Sequence, residues 1–279
     1  LYTARCEVTV DGSVTDRLEI PFGVRSFRVD EKHGFILNDE PYDLHGVSRH
    51  QDRKGIGNAI TREMHDEDMA LIREIGATTL RLAHYAMCGP FNKVAHITDV
   101  VSWNLYLGWY VPGLFLNDLW IGFWHLCYPK RLLGYSEYGA EGMPNLHSDH
   151  PRRNDHTEEY QAVYHEYMLR CFRRHPWMWA NHVWNMFDFA ADARDQGGEP
   201  GMNHKGLVTF DRKTKKDSFY LYKAWWSSDR FVHICSKRFV DRCGKKTTIK
   251  VYSTDDTVTL MVNGKTVGTS HQMSDSYVA

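Results

Sequence analysis

Residues 1 to about 28 alternate in character, with Cys6, Val8 and Val10 set against Glu7, Thr9 and Asp11, and the Asp11-Gly12 pair marks a hairpin. A second hairpin follows from Phe27, FRVD and then GFILNDEPY, with a turn at Asn38 to Glu40. The pattern then changes. DLHGVSRH has the character of a buried strand, and Thr61 to Ile75 places Met69, Ile72 and Ile75 on one helical face with Gly76 as a stop. ATTLRLAHY is the next strand, so this order predicts a right-handed parallel βαβ unit. The theme repeats with DVVSWNLYLGWY as a strand, LNDLWIGFWHLCY as an apolar helix and LLGYSEYGAEG as a strand. Asp155 and Glu158 offer a capping box for a helix through about Arg174, with Tyr160, Val163, Tyr164, Tyr167, Met168 and Cys171 as its apolar stripe. WMWANHVWNMFDF is the last strand of this kind, and from about Phe231 the period returns to two, with a turn at Asn263-Gly264.

Strands alternating with helices, and ending in His, Arg, Tyr, Trp or Asn, are the layout of a (β/α) barrel, whose sites lie at the carboxyl ends of its strands. The expected fold class is therefore α/β: an incomplete (β/α)8 TIM-type barrel over residues 29–228. Residues 1–28 read as the end of one immunoglobulin-like β-sandwich domain and residues 229–279 as the start of a second. Within the barrel, GYSEYGAE is a buried strand ending in a carboxylate, Glu137, followed by a turn at Gly139.

Composition narrows the function classes. The chain has 279 residues, 42% hydrophobic and 25% charged, which is globular rather than disordered. A net charge of -1 from 34 basic and 35 acidic residues gives no bulk attraction to nucleic acid or to an anionic membrane. The basic run RKTKK, Arg212 to Lys216, reads as a solvated turn. Cys6, Cys88, Cys127, Cys171, Cys235 and Cys243 form no C-x-x-C pair, which argues against a zinc site or a disulfide framework and for a reducing, cytoplasmic location. No stretch is apolar over the length a bilayer requires. The sequence opens on LYTARCEV without an initiator Met, so it reads as cut at both ends. Its 9 Trp and 15 Tyr, clustered with His, suit stacking on sugar faces.

RSFRVDEKHGFILNDEPYDLHGVSRHQD, TTLRLAHY, NLYLGWY, SEYGAE, VWNMFDFA and NHKGLVTFDRKTKKDSFYLYKAWW together resemble glycoside hydrolase family 2, most closely its bacterial β-galactosidases. The resemblance implies a retaining mechanism, in which one carboxylate attacks the anomeric carbon and a second, about 5 to 5.5 Å away, protonates the leaving oxygen. It implies Glu137 as nucleophile, Arg81 as the cation that keeps it ionised, and Tyr106 as its hydrogen-bond donor. His50 and His84 match histidines that contact sugar hydroxyls, and Trp184 matches the platform under the ring. Asn104 and Tyr110 lie in the same strand-end motif.

Asn203 and Lys205 match an Asn-x-Lys pair that grips the substrate carboxylate in the family's β-glucuronidases. Galactosidases with this surrounding sequence carry it too, with the Asn near the C6 hydroxyl. Because MPNLHSDHPRR and ADARDQGGEPGMNHKG look more like galactosidases, the first expectation is release of terminal β-D-galactose from a small-molecule β-galactoside. A β-glucuronidase is the alternative, and a non-catalytic carbohydrate-binding remnant is the third reading. Neither nucleic acid nor membrane is an expected partner; a homo-oligomer is compatible with the sequence.

One half of the machinery is not visible. The family's acid/base Glu lies in an Asn-Glu pair after the fourth strand, and no such dipeptide occurs here. RLAHY runs directly into AMCGPFNKVAHITD, which resembles a later segment, so the third and fourth strands are expected to be missing near 85/86. Residues 27 to 226 number 200, against about 250 for a complete barrel. The family's magnesium ligands would fall in the missing stretch, so no metal is assigned, although the resemblance allows Mg2+ or Na+. A deletion, an omitted segment and a smaller barrel remain three explanations, and the first requires something to cover the sheet edge. Asp52, Glu141 and Asp188 lie near strand ends as stand-ins for the acid, each with a plain structural reading.

Overall fold

The computed structural model of the protein describes residues 1–82, 98, 100–242 and 246–271. Strands β1 (Tyr2–Val10) and β2 (Ser13–Phe22) form an antiparallel hairpin. Its turn residues Asp11 and Gly12 have φ of 49° and 80°, the left-handed pair that a two-residue hairpin demands. β3 (Phe27–Asp30), β4 (Gly34–Leu37) and β5 (Glu40–Pro41) make a small antiparallel sheet at the barrel's entry.

The central unit then begins with β6 (His45–Ser48), α1 (Arg62–Glu74) and β7 (Thr79–Arg81). It continues with β8 (Val100–Asn104), α2 (Leu116–Cys127), β9 (Leu132–Tyr138), α3 (Glu158–Arg174) and β10 (Asn181–Val183). After the short pair β11 (Phe189–Ala190) and β12 (Met202–Asn203) comes α4 (Asp217–Trp226). The chain ends in β13 (Val232–Ile234), β14 (Val251–Ser253), β15 (Thr257–Val262) and β16 (Lys265–His271).

Five strands form one parallel sheet in the order β7-β6-β10-β9-β8. The first strand of the unit therefore pairs with the last, Gly46 opposite His182 and Val47 opposite Val183. That pairing is what a cyclic strand order produces, and the sheet is an arc of a TIM-type barrel. Among the described residues the arc ends at β7 on one side and β8 on the other. The junction near 85/86 lies outside the described residues.

Burial follows the expected periodicity. Val47, Tyr135 and Val183 are fully buried, Ile72 and Ile75 seal α1 against the sheet, and Tyr164 and Met168 do the same for α3. α3 is buried on more sides than its apolar stripe alone predicts, because Glu158, Gln161, His165 and Glu166 are buried too. Each has a partner that makes this tolerable: Glu158 takes Arg238 and the Asp217 amide, Gln161 donates to the Ala140 carbonyl, His165 meets the Tyr222 hydroxyl, and Glu166 takes Lys250 and Tyr252. The cap also differs from expectation. Thr157 is the N-cap, its Oγ1 accepting from the Tyr160 amide at 3.1 Å, while Asp155 accepts from Thr157. Glu158 is drawn away toward Arg238 and so does not close a capping box.

The outer segments are two-stranded antiparallel hairpins, β1-β2 and β15-β16, with the separate pair β13-β14. One expectation changes. The basic run at 212–216 is not a solvated turn. Arg212 reaches Asp68 and Lys216 reaches Asp188, and both cations are buried because each meets a buried carboxylate.

Asp68 on α1 lies between Arg49 and Arg212, with Nη2 of Arg49 at 2.7 Å and Nε of Arg212 at 3.1 Å. Asp68→Ala would leave two buried guanidinium groups facing each other, and is expected to lower unfolding free energy by about 3–5 kcal/mol in urea titration. His165 supplies a pH signature. Burial pushes its imidazole down to about 3 from 6.5, so the folded protein excludes a proton that the unfolded chain binds. This contribution is complete above the unfolded value and is lost as pH falls from 6.5 toward 3. Melting temperature should fall over that window, and the slope should be shallower in His165→Gln.

Candidate active site

Glu137 is the penultimate residue of β9, Arg81 the last of β7, and Trp184 the first after β10. Tyr106 follows β8 by two residues and His50 follows β6 by two. Parallel strands in one register deliver all five side chains to the carboxyl end of the sheet, the face where barrel sites form. Backbone packing there is close. A Cβ on Gly139 would meet the Trp184 carbonyl oxygen at 2.2 Å, so only glycine lets the exit of β9 pass the exit of β10. The Trp184–Asn185 peptide bond is cis.

The carboxylate of Glu137 is buried and held at both oxygens. Arg81 Nη1 donates to Oε1 at 2.7 Å, and the Tyr106 hydroxyl donates to Oε2 at 2.7 Å. Burial, and next the Glu137 charge, push the Tyr106 hydroxyl well above the usual phenol range, so it remains a donor. Trp184 lies beside this pair, with the Arg81 guanidinium 5.7 Å from its ring centre. His50 stacks on Phe189 at 4.2 Å and meets Trp184 edge-on at 6.1 Å, keeping part of its ring exposed. A carboxylate fixed in one orientation next to indole and imidazole faces is suited to attack a sugar's anomeric carbon.

Not every candidate joins this group. Asn104 is the register partner of Glu137 on the neighbouring strand, yet its Oδ1 accepts from Ser136 Oγ at 2.7 Å. His84 lies outside the described residues. Asn203 turns its Oδ1 back onto the Lys205 amide at 3.0 Å. Lys205 donates to Glu141 Oε1 and to the Tyr110 hydroxyl, each at 3.0 Å, and lies over the Tyr106 ring, 5.4 Å from its centre. Asn203 and Lys205 thus belong to a second cluster that touches the first through Tyr106.

That second cluster also contains Arg194 and His156, which sequence reasoning did not single out. Arg194 donates to Glu141 and, at 3.1 Å, to the Tyr110 hydroxyl, while His156 Nδ1 lies 3.5 Å from Glu141 Oε2. Arg194 sits in the Gly-rich loop between β11 and β12, where spacing carries no positional signal. Burial alone would push Glu141 up, but His156, Lys205 and Arg194 outweigh it and hold the carboxyl far below its ordinary range.

None of the three stand-ins is poised as an acid. Glu141 is kept ionised by Lys205 and Arg194, with His156 beside it. Asp52 is also lowered, since hydrogen bonds from His50 and the Ala190 amide outweigh burial. Asp188 is engaged by Lys216 Nζ at 2.7 Å and the Gly206 amide at 2.9 Å.

A hard cation fits poorly among the described residues. The two groupings with metal-ligand potential are Asp118-Cys171-His175 and Asp217-His233-Cys235. Mg2+ and Na+ prefer all-oxygen shells, whereas these offer a thiol and an imidazole each. Arg174 already forks onto Asp118, and His233 and the Ser236 amide already occupy Asp217. No helix among the described residues is long and apolar enough to cross a membrane.

Tyr106→Phe tests the geometry around Glu137. Loss of a hydrogen bond to a charged group, about 1.5–3 kcal/mol, should slow covalent capture of an activated fluorosugar roughly 10- to 100-fold. An unchanged rate in the folded variant would remove Tyr106 from the site.

Comparison with known proteins agrees with the barrel arc. Residues 27–92 match the family model described as glycosyl hydrolases family 2, TIM barrel domain. A beta-glucuronidase of Bacteroides fragilis is 28% identical over 381 residues, covering 99% of this chain and 54% of that protein. The match is longer than this chain's 279 residues, so the relative carries residues with no counterpart here. An FMN-binding beta-glucuronidase from Facaelibacterium prausnitzii L2-6 superposes with a TM-score of 0.86 at 37% identity, covering 99% of this chain and 58% of that one. A putative beta-galactosidase from Bacteroides fragilis gives 0.82 at 28%, covering 96% and 54%. The chain spans little more than half the length of these proteins. These matches make the chain a partial-length relative of glycoside hydrolase family 2.

Proposed function

We propose that the chain acts as a retaining glycosidase toward β-D-glucuronides, with Glu137 as nucleophile. The observation that carries the reading is the two-sided grip on Glu137 by Arg81 and Tyr106, next to a cluster with two cations, Lys205 and Arg194. A uronate carboxylate would find favourable charge there, while a galactoside's neutral C6 hydroxyl would not use it. Relatives named beta-glucuronidase support the same choice. The galactosidase expectation becomes the second reading, supported by the likeness to the putative beta-galactosidase.

In the first step a Glu137 oxygen bonds to C1 as the C1–O bond to the aglycone breaks, and the aglycone departs with the electron pair. Water then attacks C1 as the C1–Glu137 bond breaks, giving its proton to solvent or to the departed aglycone anion, releasing Glu137 as carboxylate and leaving glucuronic acid with retained configuration. No Asn-Glu pair supplies an acid in this sequence, and Asp52, Glu141 and Asp188 are engaged elsewhere. The aglycone must therefore leave as an anion or take its proton from solvent.

Leaving-group dependence tests this directly. Dinitrophenyl β-D-glucuronide should be cleaved faster than the matching galactoside, and phenyl β-D-glucuronide should fall behind by an extra factor of about 10²–10⁴, the usual worth of general-acid assistance. Release must vanish in Glu137→Gln. No release from any of these glycosides would favour a carbohydrate-binding remnant, and faster galactoside cleavage would favour the second reading.

A further inference from the structure

We propose that Glu141 is a positioning residue for recognition of a substrate carboxylate, fixing Arg194 and Lys205 as one paired clamp. The inference rests on the glucuronide reading and assigns a role to a residue the reaction itself does not use. Lys205 is only 1% exposed, and Asn203, at 4%, spends its side-chain oxygen on the Lys205 amide. The Asn-x-Lys pair therefore lies behind the surface, and the parts of the cluster that reach outward are the Arg194 guanidinium and Tyr110, which is 46% exposed.

The two cations meet on the same two oxygens. Lys205 Nζ donates at 3.0 Å to Glu141 Oε1 and at 3.0 Å to the Tyr110 hydroxyl. Arg194 Nη2 donates to that same Glu141 oxygen and, at 3.1 Å, to that same hydroxyl. Two like charges at this spacing repel strongly where water is scarce, and a shared carboxylate is what lets them stay together. His156, whose Nδ1 lies 3.5 Å from the other oxygen, and the His204 amide at 3.4 Å complete the shell around Glu141.

Charge counting then selects the ligand. Two cations against one buried carboxylate leave one positive charge in excess, which a single uronate neutralises and a hydroxymethyl group does not. The clamp is tied to the nucleophile through one side chain: Tyr106 packs edge-on against Tyr110 at 5.3 Å, lies beneath Lys205, and donates to Glu137. Glu141 thus acts through Arg194 and Lys205, and touches neither the sugar nor the reacting atoms.

The test is the rate at which the protein gains mass from 2-deoxy-2-fluoro-β-D-glucuronyl fluoride, relative to the galactosyl fluoride, both of which need no acid to react. The wild-type ratio should favour the uronyl reagent, and Glu141→Gln should lower it by about tenfold or more, through a higher half-saturating uronyl concentration rather than a slower limiting rate. Arg194→Gln should move the ratio the same way and carries the test if Glu141→Gln does not fold. A ratio unchanged in the folded variants, or both reagents slowed in proportion, overturns the proposal, since a merely structural Glu141 would not alter selectivity. Wild-type protein that prefers the galactosyl reagent, or reacts with neither, overturns the glucuronide reading instead.

Discussion

The pairing of the first parallel strand, His45–Ser48, with the last, Asn181–Val183, is the constraint on which the rest depends. It bends consecutive βα units into an arc instead of a flat doubly wound sheet. Arg81, on the far side of the first strand, and Glu137, on the far side of the last, are thereby brought within hydrogen-bonding distance although they are 56 residues apart. Without that closure Glu137 would be a buried carboxylate without its cation, a costly arrangement. The fold and the chemistry share one cause.

β9 and the turn after it deliver two carboxylates with opposite assignments. Glu137 is held by an arginine and a tyrosine beside aromatic faces, the setting the proposed nucleophile requires. Glu141, four residues on, is taken up by Lys205, Arg194 and His156 and is held ionised, with no proton to give at ordinary pH. The same electrostatics that disqualify Glu141 as the acid make it an anchor for cations, and on the proposed function those cations are what a negatively charged sugar would meet. Tyr106 and Tyr110 join the two clusters through their edge-on ring contact.

Much of this was legible in the sequence. The βα alternation, the helix over residues 62–74 and the strand ends carrying Arg81, Tyr106, Glu137 and Trp184 follow from periodicity and from the family motifs. What was not legible depends on distant partners. RKTKK looks solvated because nothing local reveals that Asp68 and Asp188 wait beneath it. Glu158 looks like a capping residue because the competing Arg238 is 80 residues away. Arg194 sits in a polar Gly-rich loop whose letters carry no period, and only the fold places it on Glu141. The choice between galactoside and glucuronide hung on resemblance of loop segments, and the relatives shift it toward the uronate.

The central claim is that Glu137, and not its neighbour four residues away, bonds to the sugar. After capture by the fluoroglucuronyl reagent and digestion with trypsin, residues 132–152 form one peptide that contains both carboxylates. Fragmentation of that peptide reads the attachment site. The account predicts the added mass on Glu137, and a label on Glu141 or outside this peptide would contradict it.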